Sequence, residues 1–164
     1  MSRTVVMGIL NITPDSFADG GKYLSKDDAV SGGRRLVVEG ADIIDIGGES
    51  TRPGAQDVSV QQELDRVIPV IESLNQRFDS IISIDTSKAQ VMLEAVNAGA
   101  SLINDVRALQ ENGALEAVVK AKVPVCLMHM QGQPRIMQHN PIYDDVVKDV
   151  ITFLKERISI CCKA

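Results

Sequence analysis

The sequence predicts an α/β fold of repeated βα units around a parallel sheet, and three observations carry that prediction. Short runs rich in Ile, Val and Leu alternate with longer amphipathic stretches along the whole chain. The runs show little alternation of polar and apolar residues, the pattern of parallel strands buried on both faces. Each run also finishes in a polar or functionalised residue, which would place chemistry at the C-terminal rim of such a sheet. At 164 residues the chain is long enough for one domain with a real core, and no shift of composition marks a linker.

Five runs are strand candidates: Val5–Ile12, Ile43–Ile46, Ile81–Asp85, Leu102–Asn104 and Val125–Met128. The stretches between them carry helix start and stop signals. Ser25 with Asp28, and Ser59 with Gln62, have the spacing of a capping box. Gly40 and Gly99 sit where helix-terminating glycines belong. Leu64, Val67, Ile68, Ile71 and Leu74 form one apolar stripe, which Pro69 is expected to kink or cut short. The last helix repeats the stripe with Val146, Val147, Val150, Ile151, Leu154 and Ile158. An internal echo supports a repeated unit, because Gly40-Ala41-Asp42-Ile43-Ile44-Asp45 parallels Gly99-Ala100-Ser101-Leu102-Ile103-Asn104. An open doubly wound sheet and a closed barrel both fit this pattern.

A net charge of −5 argues against a general nucleic-acid or membrane-surface binder, which needs a basic face. An anionic substrate therefore requires a local device. The three cysteines (Cys126, Cys161 and Cys162) are odd in number and unevenly spaced. They suit reduced thiols acting as packing residues in a cytoplasm better than a disulfide framework. The opening apolar run is too short to span a bilayer and lacks a small-residue cleavage site, so neither an anchor nor a signal peptide is expected.

The strand ends supply Asn11, Asp45 with Glu49 just beyond, Asp85, Asn104 with Asp105, and His129. Any one of these could simply satisfy loop N–H groups; five on one rim would make a pocket. The loop from Thr13 to Gly21 is long for a βα connection, and such loops are usually functional. The loop from Gly47 to Ala55 combines glycines, hydroxyls and Arg52, a mixture suited to a phosphate or carboxylate. It has neither a G-x-G-x-x-G fingerprint nor a Walker lysine, so no dinucleotide fold or P-loop is supported.

These blocks are also where the chain resembles a known family. Met7-Gly8-Ile9-Leu10-Asn11-Ile12-Thr13-Pro14-Asp15-Ser16-Phe17 and Ile44-Asp45-Ile46-Gly47-Gly48-Glu49-Ser50-Thr51-Arg52-Pro53-Gly54 resemble the two signature blocks of the dihydropteroate synthases, a family of pterin-binding enzymes. Ser83-Ile84-Asp85-Thr86-Ser87-Lys88, Ile103-Asn104-Asp105-Val106 and Val125-Cys126-Leu127-Met128-His129-Met130-Gln131-Gly132 resemble the next three strand ends. The resemblance implies a (β/α)8 TIM barrel. It also implies condensation of 6-hydroxymethyl-7,8-dihydropterin pyrophosphate with p-aminobenzoate, giving 7,8-dihydropteroate and pyrophosphate in folate biosynthesis. On that basis Asp85 and Asn104 would accept the N–H donors of the pterin, and Val106 and Met128 would wall its ring. Asn11 would be associated with Mg2+. Thr51, Arg52, Pro53 and Phe17 would belong to two loops that order around pyrophosphate and build the p-aminobenzoate site, where sulfonamides compete. Asp85, Asn11, Thr51 and Arg52 are the catalytic candidates. His129 is assigned to pocket structure and His139 to a solvated loop. A cytoplasmic homodimer is implied for the full-length protein.

The family carries three further βα units with an aspartate, a lysine and an arginine block, none of which occurs within residues 1–164. A barrel of about 250 residues uses about 31 in each unit, so this length makes about five. Residues 1–164 are thus expected to form a partial barrel domain, part of a longer protein and inactive alone, with its interior face and both edge strands exposed. Two other readings stand beside this one. One is a corrinoid methyltransferase binding methyltetrahydrofolate, which would not need Asn11 or the Thr51–Gly54 loop. The other is a pterin-binding half-barrel without turnover.

Overall fold

A computed structural model describes residues 3–13, 26–50, 57–133, 137 and 140–164. Five strands and five helices alternate: β1 (Met7–Asn11), α1 (Lys26–Val38), β2 (Ile43–Gly47), α2 (Val60–Arg77), β3 (Ile81–Asp85), α3 (Ala89–Ala98), β4 (Leu102–Asp105), α4 (Ala114–Ala121), β5 (Val125–Leu127) and α5 (Val146–Lys163). The strands lie in sequence order in one sheet, every neighbouring pair is parallel, and β1 and β5 are its edges.

Alternation along each strand divides the sheet into two chemically different faces. Leu10, Ile44, Ile46, Ile82, Ile84 and Ile103 point toward the helices and are buried. They meet Val67, Val70, Ile71 and Leu74 of α2, Val91, Met92 and Ala95 of α3, and Ala114 and Ala117 of α4. Each fully buried Ile or Leu contributes about 1.5–3 kcal/mol of transfer free energy, so this face holds the sheet together. The opposite, inner face carries the alternate residues in register: Met7, Ile43 and Ile81; then Ile9, Asp45, Ser83 and Leu102; then Asn11, Gly47, Asp85, Asn104 and Cys126. This face grades from apolar at its N-terminal end to polar at the rim. Its apolar end is open, with Ile9 66% and Ile81 48% exposed.

Local signals explain the helices. The capping box at the start of α2 is formed: Ser59 Oγ accepts from the Gln62 N–H at 3.2 Å and Gln62 Oε1 from the Ser59 N–H at 3.0 Å. The corresponding box at Ser25 falls outside the described residues. Gly99 ends α3 at φ +120, and a Cβ there would lie 2.4 Å from Asn75 Nδ2, so glycine is required twice over. Gly33 lets α1 approach α2, since a Cβ would lie 2.8 Å from Leu74.

One expectation is narrowed and one needs correction. Pro69 does not shorten α2, which continues to Arg77; the helix is held down by the buried Val67, Val70, Ile71 and Leu74, which outweigh one missing N–H. The apolar stripe of α5 is largely uncovered, with only Val150 and Leu154 half-buried. No residue of this helix is buried, and Val146, Val147, Ile151 and Ile158 are all exposed. No described strand lies beyond β5 to receive it. Arg157 instead ties α5 to the loop after β4, donating to the carbonyls of Ala108 at 2.8 Å and Leu109 at 2.9 Å. No helix among the described residues is long and apolar enough to cross a membrane.

Candidate active site

The C-terminal row of the inner face gathers three of the residues singled out in the sequence. Asn11, Gly47, Asp85 and Asn104 are lateral neighbours on β1 to β4. Gly47 makes the row continuous: a Cβ there would stand 3.3 Å from Asn11 Oδ1 and 3.5 Å from Asp85 Oδ2. The two side chains thus lean toward each other over a position with no side chain of its own.

Asp85 is the titratable centre of the row. Burial is the main force pushing its carboxyl up to about 7, and the charges of Asp45, Asp105, Glu63 and Glu49 push the same way. No described residue donates a hydrogen bond to it. Asn104 is fixed from below, its Nδ2 donating to Asp45 Oδ2 at 3.0 Å.

A cavity of about 510 Å3 opens beside this row, between the loops that follow β2, β3 and β4. Asp85 is shared between row and cavity, and Glu49, Glu63, Lys88, Val106 and Arg107 are among the other lining residues. Val106 and Asp85 thus line the same cavity. Lys88 Nζ forms ion pairs with both Glu49 and Glu63. Burial opposes the Lys88 ammonium, but the hydrogen bonds to Glu49 and Glu63 outweigh it and raise its pKa above that of an ordinary lysine. Arg66 of α2 donates to the Gly48 carbonyl at 2.7 Å, so the root of the loop after β2 is clamped from two sides.

Asp105 follows Asn104 but faces the helices and plays a structural part. Its carboxylate accepts from the N–H of Arg107 at 2.9 Å, the N–H of Leu109 at 2.7 Å and the hydroxyl of Ser87. That explains how Ala108 and Leu109 are held at φ +52 and +59, in the left-handed region.

The remaining sequence expectations divide in two. Met128 lies just past β5, half-buried, with its N–H toward the Asp105 carbonyl at 3.4 Å. His129 packs its ring edge-on against Phe153 at 5.0 Å and tilted against Tyr143 at 5.9 Å. Phe17, Thr51, Arg52, Pro53 and His139 lie outside the described residues. Glu63 and Lys88 are residues of the site that sequence reasoning misses. Only their ion pair reveals them, and it joins positions 25 residues apart.

A family described as pterin binding enzyme matches residues 7–164. The chain belongs to the pterin-binding enzyme family. Dihydropteroate synthase of Haemophilus influenzae is 59% identical over 164 residues, which are all of this chain and 60% of that protein. The crystal structure of the Yersinia pestis dihydropteroate synthase in complex with a sulfonamide drug superposes with a TM-score of 0.93 at 59% identity, over 99% of this chain and 59% of that one. The Xanthomonas albilineans dihydropteroate synthase with 4-aminobenzoic acid gives a TM-score of 0.89 at 55% identity, over 98% and 56%. The chain thus spans about 60% of the length of these pterin-binding relatives, and its fold is five consecutive βα units of a TIM barrel.

Proposed function

We propose that the site takes part in dihydropteroate synthesis, joining 6-hydroxymethyl-7,8-dihydropterin pyrophosphate to p-aminobenzoate with release of pyrophosphate. The observation that carries this reading is the inner-face row itself, in which the Asp85 carboxyl and the Asn104 amide stand side by side with no described donor on their ligand-facing oxygens. A pterin offers a row of ring N–H and amino donors, which these acceptors match. The relatives named above, two of them holding a sulfonamide or 4-aminobenzoic acid, support the same reaction class.

In this reading Asp85 accepts from the pterin ring and, when ionised, stabilises the positive charge that develops on the pterin methylene as pyrophosphate departs. Val106 lines the adjoining cavity and Met128 borders the β5 end, covering the ring with apolar surface. Thr51, Arg52, Pro53 and Phe17 are assigned to the pyrophosphate and p-aminobenzoate contacts, with Thr51 and Arg52 closest to the reaction. Asn11 suits Mg2+, because one amide oxygen beside an unencumbered glycine fits a hard ion that keeps its waters and shares substrate phosphates. When bound, that ion supplies charge neutralisation to the leaving pyrophosphate. A reducing cytoplasm, in keeping with the free thiols of Cys126, Cys161 and Cys162, and a homodimeric full-length protein complete the proposal.

The test is to supply the full-length protein with pterin pyrophosphate and p-aminobenzoate, with and without Mg2+, and to follow pteroate formation. Magnesium-dependent turnover is expected. A folded full-length protein that forms no pteroate would overturn the reading.

A further inference from the structure

Asp45 lies on β2 in the row beneath Asp85, 4% exposed. Its side chain reaches across the inner face of β3 to Asn104 on β4, and Ser83, which lies between them, is fully covered. The bond from Asn104 Nδ2 to Asp45 Oδ2 is the only hydrogen bond of either side chain among the described residues. Asp45 Oδ1 and Ser83 Oγ are buried with no partner among those residues.

The direction of this bond decides what Asn104 offers a ligand. An amide has two chemically opposite ends, and a carboxylate can only accept. Asp45 therefore draws the NH2 end of Asn104 downward and leaves Oδ1 facing the row that contains Asp85. Burial in a low-dielectric layer makes the preference strong. A carboxylate placed here with a single partner is a costly way to pack a sheet, so its contribution lies in orientation.

We propose that Asp45 is a positioning residue that sets the amide orientation of Asn104, making the rim of β3 and β4 select ligands with adjacent N–H donors. The inference rests on the reading of this site as a pterin site and adds a determinant of its specificity. Without Asp45, Asn104 can turn its NH2 toward the ligand, where donor would meet donor.

The experiment compares Asp45→Asn with the conservative Asp45→Glu in the full-length protein, measuring KM for each substrate separately. Asp45→Asn should raise KM for the pterin substrate roughly tenfold or more, the scale of a charge-assisted hydrogen bond, while KM for p-aminobenzoate stays within about twofold. Asp45→Glu keeps an acceptor-only carboxylate on β2 beneath Asn104 and should hold the pterin KM well below that of Asp45→Asn. A purely structural role would move both constants together in both variants. An unchanged pterin KM in Asp45→Asn, or a folded Asp45→Glu with a pterin KM no lower than that of Asp45→Asn, overturns the proposal. Should Asp45→Asn not fold, Asp45→Glu decides alone: a pterin KM within about threefold of wild type supports the inference, a larger rise ends it. Absence of turnover in the wild-type protein is a different result, and speaks against the pterin reading itself.

Discussion

The two faces of this sheet are built from adjacent residues yet differ in kind. Ile84 is fully buried against the helices, while Asp85, the next residue, faces inward with its carboxyl pushed up to about 7. The helix-side face is aliphatic apart from Gly8 and the rim carboxylate Asp105, and it contributes stability. The inner face becomes more polar toward the rim and carries charged groups that repel one another. A parallel strand lets one residue step separate these duties, so a substitution at the rim need not disturb the core beneath it.

The largest expected effect divides this pair. Ile84→Ala should cost about 2–5 kcal/mol in denaturant unfolding, while the surviving folded protein keeps its KM values. Asp85→Asn should cut turnover about 10²-fold to 10³-fold and leave the melting temperature at neutral pH unchanged or higher. If Asp85→Asn destabilised the fold as much as Ile84→Ala, the separation of duties would be wrong.

The pH dependence sharpens the same contrast. The Asp85 carboxyl is raised from 3.8 to about 7 on folding, so the fold binds its proton more tightly than the unfolded chain does. That stability is fully present below about pH 4 and is lost as pH rises through about 7. A melting-temperature series should fall over this window in the wild-type protein and flatten in Asp85→Asn. A matching slope in both proteins would assign the titration to another group.

Gly47→Ala is a smaller probe of the inner face. Its methyl would stand 3.3 Å from Asn11 Oδ1 and 3.5 Å from Asp85 Oδ2. Pushing the Asn11 amide aside by a few tenths of an ångström should reduce kcat/KM about threefold to tenfold without lowering stability; a variant with full activity would mean that the spacing of Asn11 and Asp85 is slack. The smallest effect is expected away from both faces. Ser59→Ala removes one half of the α2 capping box and should cost about 1 kcal/mol in chemical denaturation, with turnover unchanged.

Much of this contrast is legible in the sequence because it is local. The run Ile81–Asp85 coincides with β3, since a strand buried on one side and rimmed by a carboxylate needs no distant partner to be recognised. The Ser59–Gln62 box and the glycine at 99 are readable for the same reason. Asp45 and Asn104 are visible as equivalent positions of an internal echo, but not as partners. The register sets Asn104 beside Asp85, and Asp45 beside Ser83, one row lower. Glu63 is hidden in a helix whose apolar stripe dominates its pattern, and only folding brings Lys88 to it. The packing of α5 escapes the sequence because periodicity states which side of a helix is apolar, and cannot state whether anything covers it.

The strand order has a consequence for how the molecule forms. Each strand pairs only with its sequence neighbours, Met7 with Ile43, Ile43 with Ile81, Ser83 with Leu102 and Ile103 with Val125. Among the described strands no pairing waits for a distant part of the chain, so loop closure between consecutive strands is short. Such a sheet can be laid down in the order in which a ribosome delivers it, one unit docking on the last.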